Sequence, residues 1–208
     1  MMPDDLVLSL DEIENINSDQ FLKQVFEDGR THRAFIEQPV DDSLLFRLFN
    51  LAKFGPSASN LSPMRITFVR SVDQKQKVID AAAEGNKLKI ETAPVVAIIA
   101  YDKNFYSHIE KLAPHMDADA FRRKEASELD QIAIQNCWLQ VGFFIAAARS
   151  LGLDCGPMSG FDKAKIDEDF YRGRSWRSNL LINLGYGDAS KLHPRGYRLK
   201  FEEACSIL

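Results

Sequence analysis

The chain has 208 residues, 45% of them apolar and 27% charged, with a formal net charge of -4. That length allows one domain with a sizeable core, and the ordinary composition excludes a disordered or low-complexity chain. The negative charge argues against a nucleic-acid binder or a polybasic membrane module, both of which need a basic face.

Residues 1–18 read as a flexible acidic leader without an apolar signal core, so no secretory peptide is expected. Ser18 or Asp19 caps a short predicted helix with Phe21, Leu22, Val25 and Phe26 on one face, and Asp28-Gly29 ends it. Arg30-Thr31-His32-Arg33 follows in a connector. A second helix starts at Asp41, carries Leu44, Leu45, Leu48, Phe49 and Ala52, and stops at Gly55-Pro56. The polar loop Ser57 to Pro63 leads into a strand from Arg65 to Arg70, where Ile66 and Phe68 face away from Thr67 and Val69.

Asp73 opens a helix to about Glu84, followed by Gly85-Asn86-Lys87-Leu88-Lys89. The apolar run from Val95 to Ala100 fits a fully buried strand. Asp102 to Asp119 reads as loops and short helices. The longest apolar stretch, Ile132 to Ala148, is broken by Gln135, Asn136 and Gln140. It therefore belongs to a buried helix from about Lys124 to Ser150, not to a membrane span. Over its second half this helix is apolar on most of its surface and needs cover on both sides; its own sheet can supply one, and a second subunit is a candidate for the other. Gly152 stops it, and Gly156-Pro157-Met158-Ser159-Gly160 reads as a tight turn. A helix from Asp162 to about Tyr171, a strand from Asn179 to Leu184 and a polar tail from Gly185 complete the chain. Helices and strands mix without regular βαβ alternation, which indicates an α+β fold.

Several chemistries find no motif. Gly185-Tyr186-Gly187 lacks the third glycine of a dinucleotide fingerprint, since Ser190 takes its place. No Gly-Lys-Ser/Thr phosphate loop occurs. His32, His108, His115 and His193 share no ligand spacing, so no metal site is expected, and His108 and His115 read as surface residues. Cys137, Cys155 and Cys205 form neither a disulfide framework nor a CxxC pair, which fits a reducing cytoplasm. Cys155, beside Gly156, reads as a buried structural thiol.

Three segments pair backbone-bending residues with polar groups. Arg30 to Arg33 is a compact cationic cluster suited to a phosphate, since a guanidinium offers a bidentate fork; a solvated connector fits the same residues. Gly55 to Pro63 gathers small hydroxyls and Asn60, which suit a polar heterocycle, though a plain helix-to-strand loop has this composition too. Gly156 to Gly160 lets a backbone amide approach a flat ligand, or serves as an ordinary turn between elements.

Taken in order, Arg-Thr-His-Arg-Ala-Phe, Gly-Pro-Ser-Ala-Ser-Asn, Gly-Asn-x-x-Lys before Thr-Ala-Pro-Val, Gly-Pro-Met-Ser-Gly-Phe and Leu-Ile-Asn-Leu-Gly-Tyr-Gly-Asp resemble the FMN-dependent nitroreductase family from about Gln20 to the C-terminus. Within it the likeness is closest to the malonic semialdehyde reductase branch of pyrimidine catabolism. The cues are Ala-Lys-Phe-Gly-Pro-Ser-Ala-Ser-Asn-Leu-Ser-Pro, Gly-Leu-Asp-Cys-Gly-Pro-Met-Ser-Gly-Phe-Asp and Ser-Asn-Leu-Leu-Ile-Asn-Leu-Gly-Tyr-Gly-Asp-Ala-Ser-Lys-Leu.

The resemblance implies a single domain over 19–208, with a mainly antiparallel sheet flanked by helices. It implies an intertwined homodimer with an FMN at each subunit interface and the C-terminal tail embracing the partner. Arg30, Thr31 and His32 would hold the FMN phosphate and ribityl chain, with Arg195 and Arg198 completing the phosphate site. Ser57, Ser59 and Asn60 match the ribityl- and ring-binding loop, and Asn86 and Lys89 the residues facing the pyrimidine edge. Pro157, Met158, Ser159 and Gly160 match the segment whose backbone reaches the flavin N5. Much of the family has Arg-x-Ser-x-Arg/Lys in place of Arg30 to Arg33, and many members have glutamate at Ser159. The implied activity is ping-pong hydride transfer from NADH or NADPH through the flavin, with no side chain as catalyst. The implied acceptor is malonic semialdehyde, reduced to 3-hydroxypropionate, its carboxylate facing Arg33. A broad reductase of nitroaromatics, quinones or enones uses the same residues, and a flavin-binding or interaction domain with little turnover is the alternative of another class.

Overall fold

The computed structural model describes residues 18–208; apart from Ser18, the expected leader lies outside the described residues. The chain begins with α1 (Ser18–Leu22), which widens into a π-helical turn over Lys23–Glu27, and continues through α2 (Asp42–Ala52) to β1 (Met64–Val69). Then follow α3 (Val72–Ala81), α4 (Glu84–Thr92), β2 (Val95–Asp102), α5 (Ile109–Leu112) and α6 (Ala118–Arg122). The long α7 (Ala126–Ser150), β3 (Asp154–Met158), α8 (Lys163–Tyr171), β4 (Trp176–Gly185) and α9 (Phe201–Ala204) complete it.

The strands form one sheet in the order β1-β2-β4-β3, with every neighbouring pair antiparallel. Helices cover both faces, giving the α+β architecture expected. On one face α2 and α7 bring Leu45, Leu48, Val141 and Phe144 onto Ala97, Ile99 and Ile182. On the other, α3, α4 and α8 bring Val78, Ile90 and Ile166 onto Val96, Ile98 and Leu181. Each such fully buried aliphatic or aromatic side chain contributes about 1.5–3 kcal/mol. Because β2 and β4 are central and covered on both faces, they read in sequence as continuous apolar runs, not as alternation.

The elements mostly lie where the sequence puts them, and three depart for physical reasons. The helix predicted to run from Asp73 to Glu84 ends at Ala81, and a second helix, α4, covers Gly85 to Lys89, to which the sequence assigns no element. Alanine favours helix, yet Ala82 and Ala83 are extended. Their backbone is satisfied instead by tertiary pairing: Ala82 bridges Phe161, and Ala83 N–H donates to Gly160 O at 2.9 Å. The predicted tight turn at Gly156 to Gly160 is also corrected. Through Met158 it is strand β3, an edge position where Pro157 is tolerated. Finally, α1 does not bury its apolar face: Val25 is buried, but Phe21, Leu22 and Phe26 are exposed.

The helix α7 is apolar beyond what its own sheet covers. Trp138, Leu139 and Phe143 are 44%, 47% and 47% exposed, beside Phe46, Phe49 and Phe54 from α2 and the turn after it. Among the described residues no helix is long and apolar enough to cross a membrane.

Candidate functional site

The connector after α1 lies along the edge of β3. Thr31 forms a parallel bridge with Cys155, and His32 N–H donates to Cys155 O at 2.9 Å. Phe35 then bridges Gly187. The His32 side chain turns inward and is 6% exposed, with Nε2 3.3 Å from Asp154 Oδ1. Asp154 Oδ2 in turn accepts Gly187 N–H at 2.8 Å, so one carboxylate ties the connector to the start of the tail. Burial pushes the Cys155 thiol up to about 12, which fits a structural role and not a nucleophile.

On the outer side of this connector the cations gather. Arg30 donates to His193 O at 2.5 Å, Arg33 contacts the His193 ring, and Arg195 donates to the Glu27 and Gly29 carbonyls. The tail is thus laid back over the connector by arginine-to-carbonyl bonds. Arg198 instead turns onto its own segment, donating to Gly196 and Tyr197.

The break between α3 and α4 sets the next part. It brings Asn86 against the end of β3, where Asn86 Nδ2 donates to Gly160 O at 3.0 Å. Lys89, one helical step on, donates to Asn86 Oδ1 at 2.8 Å. Burial and then the nearby Arg33 charge hold the Lys89 ammonium below its ordinary range. Arg33 and Lys89 are therefore like charges close enough to repel. Among the described residues none of Arg30, Arg33, Lys89, Arg195 and Arg198 forms an ion pair with a carboxylate. Gly160 keeps the approach open: a Cβ there would stand 2.9 Å from Asn86 Nδ2. Pro157 and Met158 lie in β3, with Met158 buried, and Ser159 is exposed just beyond.

The loop with Ser57, Ser59 and Asn60 is elsewhere. Ser59, Asn60 and Ser62 have φ of 48°, 55° and 44°, a left-handed conformation that non-glycine residues rarely adopt. The strain is held by Asn136 Oδ1 accepting Ala58 N–H at 2.6 Å, and by Ser57 Oγ accepting Ser62 N–H at 2.9 Å. Gln140 Oε1 takes Met64 N–H at 3.1 Å. Two of the three polar interruptions of the apolar α7 are thereby explained, the third, Gln135, being exposed. Asn136 and Gln140 are the buried partners of this loop's backbone. The loop lies on the α2–α7 side of the sheet, whereas Asn86 and Lys89 stand on α4 on the other side. Within one chain the structure assembles the Arg30–Lys89–Gly160 group and leaves the Ser57–Asn60 loop apart from it.

Two participants were not singled out from sequence. Asn183, fully buried on β4, donates to Lys89 O at 2.7 Å and has no partner for its Oδ1. Asp154 locks His32 and Gly187 together. A lone asparagine inside Leu-Leu-Ile-Asn-Leu was the available signal, since a polar group in a buried strand needs a partner. Asp154 carried none.

The nitroreductase family model matches residues 28–186. A protein of Ralstonia nicotianae, provisionally named an NADH dehydrogenase/NAD(P)H nitroreductase, is 44% identical over 187 residues, covering 90% of this chain and 96% of its own. A Stutzerimonas stutzeri protein with the same provisional name is 47% identical over 186 residues, covering 89% of this chain and 95% of its own. Among solved structures, a provisionally named nitroreductase of Exiguobacterium sibiricum in complex with FMN has a TM-score of 0.80 at 18% identity, covering 90% and 97% of the two chains; that likeness concerns the fold alone. On the family match and the two relatives, this chain belongs to the nitroreductase family.

Proposed function

We propose that this chain is an FMN-dependent NAD(P)H oxidoreductase that works as a homodimer, with a cofactor at each subunit interface. The observation that carries this reading is the cationic group Arg30, Arg33, Lys89 and Arg195, which forms no ion pair with a carboxylate among the described residues and is set beside the open backbone of Gly160. Such a group suits a flat ligand that bears a phosphate and gains negative charge. The unpartnered Asn183 Oδ1 behind Lys89 fits a polar ligand or water there.

In this reading Arg30, Thr31, Arg195 and Arg198 hold the phosphate and ribityl chain, and His32, buried against Asp154, fixes the connector beneath them. Asn86 and Lys89 address the pyrimidine edge, where the Lys89 cation stabilises charge that reduction places there. Pro157, Met158, Ser159 and Gly160 present backbone to the ring. When bound, FMN supplies two-electron chemistry, taking hydride from NADH or NADPH and giving it to an acceptor. Ser57, Ser59 and Asn60 close the site from the second subunit. The exposed Trp138, Leu139 and Phe143 of α7 support the pairing, because an apolar face of this extent marks an association surface. The tail after Gly185, with Leu199, Phe201 and Ile207 exposed, embraces that subunit.

For the acceptor we take malonic semialdehyde: one aldehyde, one NAD(P)H and one proton give 3-hydroxypropionate and NAD(P)+. Its support is the likeness around Gly152 to Asp162 and Ser178 to Leu192; the Arg33 expected to face the acceptor's carboxylate contacts the His193 ring in this structure. The names of the two relatives favour a second reading, a reductase of nitroaromatics through the same residues.

A visible spectrum tests the first claim. The purified protein supplemented with FMN should retain flavin absorbance after desalting, and NADH or NADPH should bleach it under anaerobic conditions. A colourless protein sinks the reading. Reoxidation by malonic semialdehyde against a nitroaromatic then separates the two acceptors, and parallel double-reciprocal lines are expected for a shared site.

A further inference from the structure

The loop Ser57 to Ser62 does more than present Asn60. With α5 it walls a pocket of about 530 Å³ whose lining includes Lys53, Arg65, His108 and Lys111 together with the rings of Phe49 and Phe54. Among the described residues no carboxylate lines it. In a chain of net charge -4 that is a local reversal of sign. The nearest acidic residue on α5, Glu110, faces a different concavity with Asp117, Asp119 and Arg122. Asp102 is neutralised by Arg65 at 2.9 Å.

The four basic groups are not equivalent. Arg65 is fully engaged, donating to Asp102 and to the Ser62 and Met64 carbonyls. Lys53 donates to Asn50 Oδ1 at 3.0 Å and lies over the Phe54 ring. Lys111 and His108 are exposed and form no ion pair or hydrogen bond among the described residues. Asn60 Nδ2 donates to Leu112 O at 2.9 Å, which fastens the loop to the helix that carries Lys111. A small organic anion entering here would lay its body on Phe49 or Phe54 and offer its charge to Lys111.

From this arrangement we infer that the pocket beside the Ser57–Ser62 loop binds the carboxylate of the electron acceptor, and that Lys111 is the residue that selects anionic acceptors. The inference rests on the reading above, in which this loop closes the second subunit's site and so sets the pocket next to the reacting ring. Lysine is a compact point charge suited to one carboxylate, whereas a phosphate dianion is better met by free arginine forks. The only arginine here is already engaged. That favours an acceptor carboxylate over the extra phosphate of NADPH. It also moves the acceptor's anchor from Arg33, which the structure turns to His193 on the cofactor side.

The test uses 4-nitrobenzoate and its methyl ester, two acceptors that differ in one negative charge. On FMN-loaded protein the ratio of kcat/KM for the acid over the ester should fall about tenfold in Lys111→Gln, as for loss of one charged hydrogen bond. Lys111→Arg should keep most of it. A second readout needs no turnover: acetylation of Lys111 in the intact protein, followed by mass spectrometry, should be slowed by 4-nitrobenzoate and not by the ester. An unchanged ratio in Lys111→Gln overturns the inference, as does equal acetylation with acid and ester. A fall seen only in Arg33→Gln, or a rise confined to the KM for NADPH, also overturns it. A protein that neither retains FMN nor is bleached defeats the functional reading instead, and the acetylation result still decides the pocket.

Discussion

The imidazole of His32 occupies the space into which a side chain at Gly187 would project: a Cβ built there would overlap the ring itself. Gly187 is therefore fixed by close approach and not by backbone conformation. The ring is held from the other side by Asp154, and it stands 6.3 Å from the Phe35 ring. Gly187→Ala must displace His32 or bend the Phe35–Gly187 bridge. The expected destabilisation is about 1–3 kcal/mol, the range for overpacking a filled interior. Urea unfolding of Gly187→Ala, His32→Ala and the double variant checks this. The double variant should be more stable than the sum of the singles predicts, since removing the ring makes room for the methyl. Strict additivity would mean the two residues do not share that space.

The depressed Lys89 makes a pH-dependent prediction. Its ammonium is lowered from 10.5 by burial and then by Arg33. Below the lowered value Lys89 is charged with or without ligand, so its titration gives FMN affinity no pH dependence there. An anion beside it favours the ammonium and raises its pKa, so FMN binding takes up a proton once the free lysine has begun to lose its own. Affinity should therefore fall as pH rises through the lowered pKa towards the ordinary lysine range. In the protein alone the sign is opposite. The unfolded chain binds more protons in that window, so Lys89 adds slightly to stability as pH rises, by an amount kept small by its partial exposure. FMN titrations from neutral to about pH 10 should show the alkaline loss in wild type and a flatter profile in Lys89→Met. Equal slopes in both would assign the dependence to another group.

The sheet was readable because burial on both faces leaves a direct imprint on sequence. Val95 to Ala100 and Asn179 to Leu184 are the two central strands, and their apolar runs mark them. Helix α8 was equally plain, with Asp162 Oδ1 accepting Lys165 N–H at its N-terminus. Local signals misled where distant partners decide the backbone. Ala82 and Ala83 leave the helix for bonds to a segment almost eighty residues on. Gly156 and Pro157, a turn by composition, become an edge strand by pairing with Asn183 and Ile182 of β4, and Gly156 leaves room for His32 O, 2.7 Å from where a Cβ would be. The cationic residues of the site were visible one by one. Their grouping was not, since Arg33 meets Lys89 only through the α3–α4 break, and Asn183 enters only through sheet register.

The separation of Ser57, Ser59 and Asn60 from Arg30 and Lys89 leads to a prediction about assembly. If both sets serve one cofactor, each site must take its loop from the other subunit. A variant of the cationic half, Arg30→Ala/Lys89→Met, and a variant of the loop, Ser57→Ala/Asn60→Ala, should each fail to retain FMN as homodimers. A mixed dimer, made by co-expression with two tags, has one site that combines both defects and one that combines neither. It should recover FMN at one of its two sites, with absorbance and NAD(P)H bleaching at about half the wild-type level per dimer, the simple expectation for independent sites. If the loop and the cations served one site within a single chain, every site of the mixed dimer would carry one defect and none would recover. Phe143→Glu places a charge on the exposed apolar face of α7 and should turn the protein into a monomer by light scattering, with loss of FMN but retention of the fold by circular dichroism. A monomeric Phe143→Glu that still binds FMN with wild-type affinity would refute the shared site, whatever the mixed dimer does.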